Sequence, residues 1–468
     1  MCRDLNRAGH SRAPLSSVAC GMLALAVSGL FPMANAGDAV GWRSDGKGEF
    51  KALDAPTHWS RESGIAWKTK LPASSLSSPI VAGERAFVMV EPDRLLCFRL
   101  SDGELLWDRP HEYEVAFGPE KAKEIKRQHA ESKQVHQEIG ELEKQLKTAQ
   151  DADPNSADVS ALRDKIKKLQ QHDEELTAIP PPQAEATGNT ASTPVCDSEN
   201  VYAVLGNGMV SSHRLDGKRN WIRFIGQSMS RHSASPLIAG KLLIVHLKQL
   251  TALDLQTGEI VWKTDTPPRN GTPVAATVGE QSVIVTPAGA IVRSADGKVL
   301  AKDLFDLGYC SPIVEAGVIY AAERGRLVAI KLLPGDDKET IRTEVLWQTR
   351  GPQDDRLASP VVHGGLLFSA TGSGILDVVD IATGKVIKRK RLELGEGRVD
   401  ASLSVANDHL YIQSTNGTTV ILEPTADCPE IARNTAEGSS SSPFFVADRI
   451  LFRTPTHMIC IVEKGSAK

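Results

Sequence analysis

The residues able to do chemistry are scattered along this chain. Seven cysteines occur, no two of them adjacent and none in a CxxC pair, so neither a zinc knuckle nor a dithiol redox motif is present. The twelve histidines show no HxH or HExxH spacing, and the chain has neither a GxSxG elbow nor a phosphate-binding P-loop. "DADPNSAD" sets Asp151, Asp153 and Asn155 at the first three ligand positions of a calcium loop, but Ser156 stands where glycine is needed and Leu162 where the closing glutamate belongs. A turn between helices accounts for that stretch. Asp400 and Glu323 are isolated carboxylates of the kind that can act as a base. The remaining candidates share a position: Arg231, His232, Asn270, Tyr309, Arg356 and Asp400 each fall just before a recurring Ser/Thr-Pro dipeptide or its equivalent.

That dipeptide sets the architecture. Its prolines are Pro79, Pro194, Pro236, Pro273, Pro312, Pro360 and Pro443, and "DASLSVAND" is a further copy with Leu403 in the proline's place. After the interrupted first gap the starts are 37 to 48 residues apart, a period of about 42. Short alternating apolar runs follow each start, such as "KLLIVHL", "GVIYAAE" and "DHLYIQS", with Gly, Asn or Asp turns between them. Four short antiparallel strands per unit, repeated eight times, predict an all-β fold, an eight-bladed β-propeller with four-stranded blades. The count rests on the copy at Leu403; without it there would be seven. The last unit ends before its fourth strand, whereas "ESGIAWKTKL" at 62–71 is such a strand with no unit before it, so the N-terminal strand is expected to close the last blade.

Each unit ends in a phrase best preserved in "TALDLQTGEIVWKT" at 251–264. Asp254 can accept turn amides, Gly258 can take positive φ, and Trp262 offers a flat surface with one donor. Trp67, Trp107, Trp221 and Trp347 hold the same place and are expected to dock one blade on the next. The phrase resembles the repeat of the PQQ-like β-propeller family, which includes the pyrroloquinoline quinone dehydrogenases and the propeller lipoprotein of the outer-membrane β-barrel assembly machinery. The resemblance covers about residues 40–109 and 190–465 and implies the fold more than the cofactor. Many dehydrogenases of that family carry two adjacent, disulfide-bonded cysteines, a metal site built from Glu and Asn, and an Asp base. No adjacent cysteines exist here, so the resemblance implies a member without cofactor, metal or catalytic residues, with quinone binding as the alternative.

The interruption, 111–190, has a different period. Val135, Ile139, Leu142, Leu146 and Ala149, then Val159, Leu162, Ile166, Leu169 and Leu176, step by three and four and predict helices over 120–150 and 156–177, paired as a coiled-coil hairpin. Pro154 breaks the helix between them, with Asn155 or Ser156 as the next N-cap, and "IPPPQAEATGNTAS" returns to the propeller. The first 36 residues read as an export leader: Arg3, Arg7 and Arg12 precede an apolar run from Cys20 to Phe31, with a small-residue "ANA" at 34–36. That run is too short to span a bilayer. Fifty-four basic and 58 acidic residues give a net charge of −4, with none of the basic surplus of nucleic-acid binders. The expected parts are thus a leader (1–36), the closing strand and first blade (37–110), the hairpin with its linker (111–190) and the remaining blades (191–468). The expected role is a non-catalytic scaffold in the periplasm or elsewhere outside the cytoplasm, docking a protein partner through 118–178, with a ligand site at the channel mouth. The alternatives are a quinone-dependent oxidoreductase and an accessory factor in outer-membrane protein assembly.

Overall fold

The computed structural model describes residues 39–51, 54–181, 188–227, 229, 232–337 and 339–463. The expected leader and its two cysteines lie outside the described residues, as does Arg231. In the first blade, strands Ile80–Ala82, Arg85–Val90, Arg94–Arg99 and Leu105–Pro110 pair in order as an antiparallel sheet. Seven more such sheets begin at Val195, Leu237, Val274, Ile313, Val361, Ser404 and Phe444, so the propeller has eight blades and the copy at Leu403 is one of them. The eighth has three strands of its own and takes Ile65–Lys70, paired antiparallel with His457–Ile461, as its outermost. Second and third strands are buried on both faces because a neighbouring blade covers each face, as in Arg85–Val90. Outermost strands such as Val386–Arg391 alternate between half-buried and exposed.

The repeated phrase explains how blades adhere. The indole nitrogens of Trp67, Trp107, Trp221, Trp262 and Trp347 donate to the carbonyls of Leu100, Leu215, Leu255, Ser294 and Ile381, each in the next blade, at 2.7–3.0 Å. Each ring lies over the glycine of that next blade's phrase. A methyl added at Gly258 would sit 2.6 Å from the Trp221 ring, and φ there is +69°. Asp254 fixes the turn by accepting the amides of Gln256 and Thr257 at 3.0 and 2.8 Å. The phrase is therefore a socket, and the tryptophan of the preceding blade fills it.

The insertion leaves after the first blade as three helices, α1 (Tyr113–Phe117), α2 (Pro119–Ala152) and α3 (Ala157–Leu176). Pro119 occupies the first turn of α2, where its missing N–H costs nothing. The Ser156 hydroxyl caps α3 by accepting the Val159 amide. The two long helices run antiparallel: Ser132 donates to Asp173 at 2.6 Å and Lys165 pairs with Glu138 at 2.9 Å. Val135, Leu142, Val159 and Ile166 are buried between them. At its base Phe117 packs on Phe224 of the second blade, and the Tyr113 hydroxyl donates to the Pro180 carbonyl of the return linker. Among the described residues no helix is long and apolar enough to cross a membrane.

Candidate functional site

The Ser/Thr of each Ser/Thr-Pro dipeptide builds the mouth of the axial channel. The backbone N–H of Ser78 donates to the Thr193 hydroxyl, that of Thr193 to Ser235, and so on through Thr272, Ser311, Ser359, Ser402 and Ser442, whose N–H returns to Ser78. All eight bonds measure 2.8–3.0 Å, and the ring is closed. Ser402 takes part although Leu403 replaces the proline, because the hydroxyl makes the link. Each hydroxyl accepts one amide and keeps its own proton uncommitted.

The chain's own N-terminal segment fills the channel below this ring. Val40 forms a bridge with Cys196 in the second blade, Gly41 and Ser44 close a tight turn, and Lys47 reaches Glu315 in the fifth blade at 2.8 Å. Glu49–Phe50 then runs parallel to the innermost strand of the seventh blade, opposite Val405 and Ala406. At the tip, Arg43 is buried and donates through Nη2 to the carbonyls of Pro360 and Leu403 at 2.8 and 2.6 Å. Burial pushes its pKa down to about 9. Arg43 and Ser44 both hold positive φ, 53° and 65°, a conformation unfavourable for side chains and kept here by tertiary contacts. Gly48 has no alternative, since a methyl there would lie 1.9 Å from Arg43 Nη2.

Above the tip lies a cavity of about 420 Å³ lined by Trp42 and by residues of all eight blades. The lining follows a parity rule. Chain entering each innermost strand is extended, so alternate side chains face the axis. Ring hydroxyls form one layer, and the residues two places earlier form the next: Leu76, Ala191, Ser233, Asn270, Tyr309, Leu357, Asp400 and Ser440. Asn270, Tyr309 and Asp400, named from sequence, are therefore brought together. His232 and Arg356 stand three places before Ser235 and Ser359 and face the other way, so their expected place at the mouth is corrected. His232 is fully buried, its two ring nitrogens have no hydrogen-bond partner, and burial beside His246 pushes its pKa down to about 3. Arg356 forms an ion pair with Asp377 at 2.8 Å, both side chains out of solvent, and also donates to Ser369. Trp42 had no signal in the repeats; the glycine-rich "GWRSDGKGEF" was the only hint of a special backbone there.

Within the cavity, Asp400 Oδ2 accepts from the Ser440 hydroxyl at 3.0 Å, whereas Asp400 Oδ1 and Asn270 Oδ1 are buried without a hydrogen bond, the Arg398 Nε lying 3.6 Å from Asp400 Oδ1 as an ion pair. Tyr309 is 56% exposed. Other reactive-looking groups are engaged elsewhere. Glu323 accepts the Asp306 amide and pairs with Arg326. The Cys310 thiol donates to the Arg356 and Ala358 carbonyls, and burial pushes its pKa up to about 12, far from a thiolate. His111 sits 2.6 Å from the Ser211 hydroxyl, like a base beside a nucleophile, but both are buried and no substrate reaches them. All five described cysteines are free and buried, and no group of three His, Cys, Asp or Glu among the described residues is placed to hold a metal.

Eight blades, the Trp-socket phrase and an axial mouth define a PQQ-like β-propeller. The model of the family described as outer membrane protein assembly factor BamB matches residues 29–264 and 248–464, and the chain belongs to that family. Its fold is similar to that of BamB from Moraxella catarrhalis (TM-score 0.54, 12% identity, 85% of this chain and 98% of that one). It is also similar to quinohemoprotein alcohol dehydrogenase from Comamonas testosteroni (TM-score 0.56, 11% identity, 93% of this chain and 82% of that one). No curated protein matches the sequence significantly.

Proposed function

We propose that the protein is a non-catalytic interaction scaffold of the cell envelope, with the α2–α3 hairpin as its docking arm. The supporting observation is where the hairpin's apolar residues go. Val135, Leu142, Val159 and Ile166 are spent joining the two helices to each other, and among the described residues it is the base near Tyr113 and Phe117 that packs against a blade. About 34 residues of α2 make a rod of roughly 51 Å whose outward faces are polar and serve no purpose in the propeller. The family description and the likeness to BamB favour a role in outer-membrane protein assembly as the second reading.

The cavity is a poor match for pyrroloquinoline quinone. That cofactor is a tricarboxylate, yet among the described residues the lining offers no cation and one carboxylate, Asp400. Neither adjacent cysteines nor a metal-holding cluster accompanies it among those residues. The protein is accordingly proposed to work without the quinone. Titration with the quinone and calcium ions should give neither stoichiometric absorbance change nor dye reduction, and turnover would sink the scaffold reading.

The arm is tested by site-specific photo-crosslinking in the envelope from Glu141 and Lys167 on the hairpin and, as controls, from Lys263 and Lys388 on outer strands. One discrete adduct arising only from hairpin positions is expected. Equal labelling from all four, or none, removes the arm. In a strain lacking residues 119–176, unchanged levels of outer-membrane β-barrel proteins would dispose of the assembly reading while leaving the arm standing.

A further inference from the structure

We propose that the axial cavity binds a neutral saccharide unit, held over Trp42 with its hydroxyls shared between the hydroxyl ring and the pair Asn270 and Asp400. This does not depend on the hairpin reading. The inference comes from matching donors to acceptors. Six ring hydroxyls line the cavity, namely Ser78, Thr193, Thr272, Ser311, Ser402 and Ser442. Each already accepts a backbone amide and has a proton to give. In the layer above, Asn270 Oδ1 and Asp400 Oδ1 are buried acceptors that no hydrogen bond satisfies, with the Arg398 guanidinium 3.6 Å from Asp400 Oδ1 and too far to donate to it. The site therefore offers donors below and asks for donors above.

An anion supplies acceptors only, leaves Asn270 Oδ1 unsatisfied and sets its charge beside the Asp400 carboxylate. An amine supplies donors only and leaves the ring protons unused. A sugar hydroxyl does both at one atom, so vicinal hydroxyls satisfy both layers together. Trp42 at the floor and Tyr309 at the rim add flat apolar surface for the C–H face of a pyranose, and Leu76 and Leu357 complete the apolar part of the wall. The volume of about 420 Å³ lies within the usual range for small-ligand sites, roughly 300–1,000 Å³. Trp42 is delivered by the N-terminal segment, whose Arg43 is locked by the Pro360 and Leu403 carbonyls, so the floor is fixed before any ligand arrives.

The test uses the whole mature chain labelled with 5-fluorotryptophan, the Trp42 signal being assigned from Trp42→Phe. Probes are glucose, N-acetylglucosamine, the β-1,4-linked disaccharides and tetrasaccharides of each, spermidine, and citrate. The Trp42 signal is expected to shift saturably with at least one sugar and with neither spermidine nor citrate. A disaccharide binding without its tetrasaccharide marks a free-sugar site, and both binding marks a site for a glycan chain end. Asp400→Ala should weaken binding about tenfold or more, as expected for losing a hydrogen bond to a charged group. Asp400→Asn, which keeps the shape, should weaken it less. Failure of every sugar, binding of spermidine or citrate alone, or undiminished sugar binding by Asp400→Ala overturns the proposal.

Discussion

Acid should unfold this propeller earlier than its carboxylates alone would. His111, His213, His232 and His246 are buried in the native state, and burial is the largest cause pushing their pKa values down to about 4, 3, 3 and 4. In the unfolded chain each titrates near 6.5. Above that pH both states are neutral at these positions and contribute no pH dependence. As the pH falls through 6.5 the unfolded state takes up protons that the native state refuses, so stability drops, and it keeps dropping until the native values near 4 and 3 are reached. At pH 5.5 each histidine accounts for about 1.4 kcal/mol and the four for about 5.6 kcal/mol. Burial raises the carboxyl groups of Glu91 and Asp93, whose protonation in the native state acts in the opposite sense toward the acid end. The assay is reversible urea unfolding between pH 7.5 and 5.5, for wild type and for His232→Gln. The variant should lose about a quarter of the pH-dependent drop, whatever its stability at pH 7.5. An unfolding free energy equal within 1 kcal/mol at the two pH values, or a wild-type slope in His232→Gln, would refute the reasoning.

Three further outcomes follow from the packing. Gly258→Ala drives a methyl against the Trp221 ring and strains a left-handed residue, so it should destabilise by about 1–3 kcal/mol in denaturant unfolding, whereas Gly240→Ala, equally left-handed but with nothing near its added methyl, should lose less. Ser402→Ala removes the acceptor for the buried Ser359 amide and should lose about 1–3 kcal/mol, with Ser402→Thr nearly neutral; equal stability of all three chains would remove the ring from the account. Arg356→Met strips the Nη2 partner from the buried Asp377 carboxylate, leaving it Arg389 alone, and should lose about 1.5–3 kcal/mol, part of it regained when Asp377→Leu is added.

What the sequence discloses depends on how locally each feature is written. Blade number and closure are local: a Ser/Thr every 42 residues or so carries one link of the hydroxyl ring, and a Trp-bearing strand without a unit before it must complete a unit that lacks one. The helical hairpin is local too, since its seam is a spacing of three and four. The mouth was half legible because an extended chain alternates. Proximity to the dipeptide picked out Asn270, Tyr309 and Asp400 together with His232 and Arg356, and only counting by twos separates the residues facing the axis from those facing the blades. Counted that way, Ser233, Leu357 and Ser440 would have joined the first group. The channel filling was not legible at all. Arg43 is held by carbonyls 317 and 360 residues further along, and Trp42 reaches the cavity only because those carbonyls and a side-chain-free Gly48 fix the turn beneath it. Nothing repeats in that segment, because the axis offers room for one such chain. A residue type needed once per blade builds the blade, whereas one needed once per molecule is invisible to a search for repeats and is where the eightfold ring acquires a distinct floor.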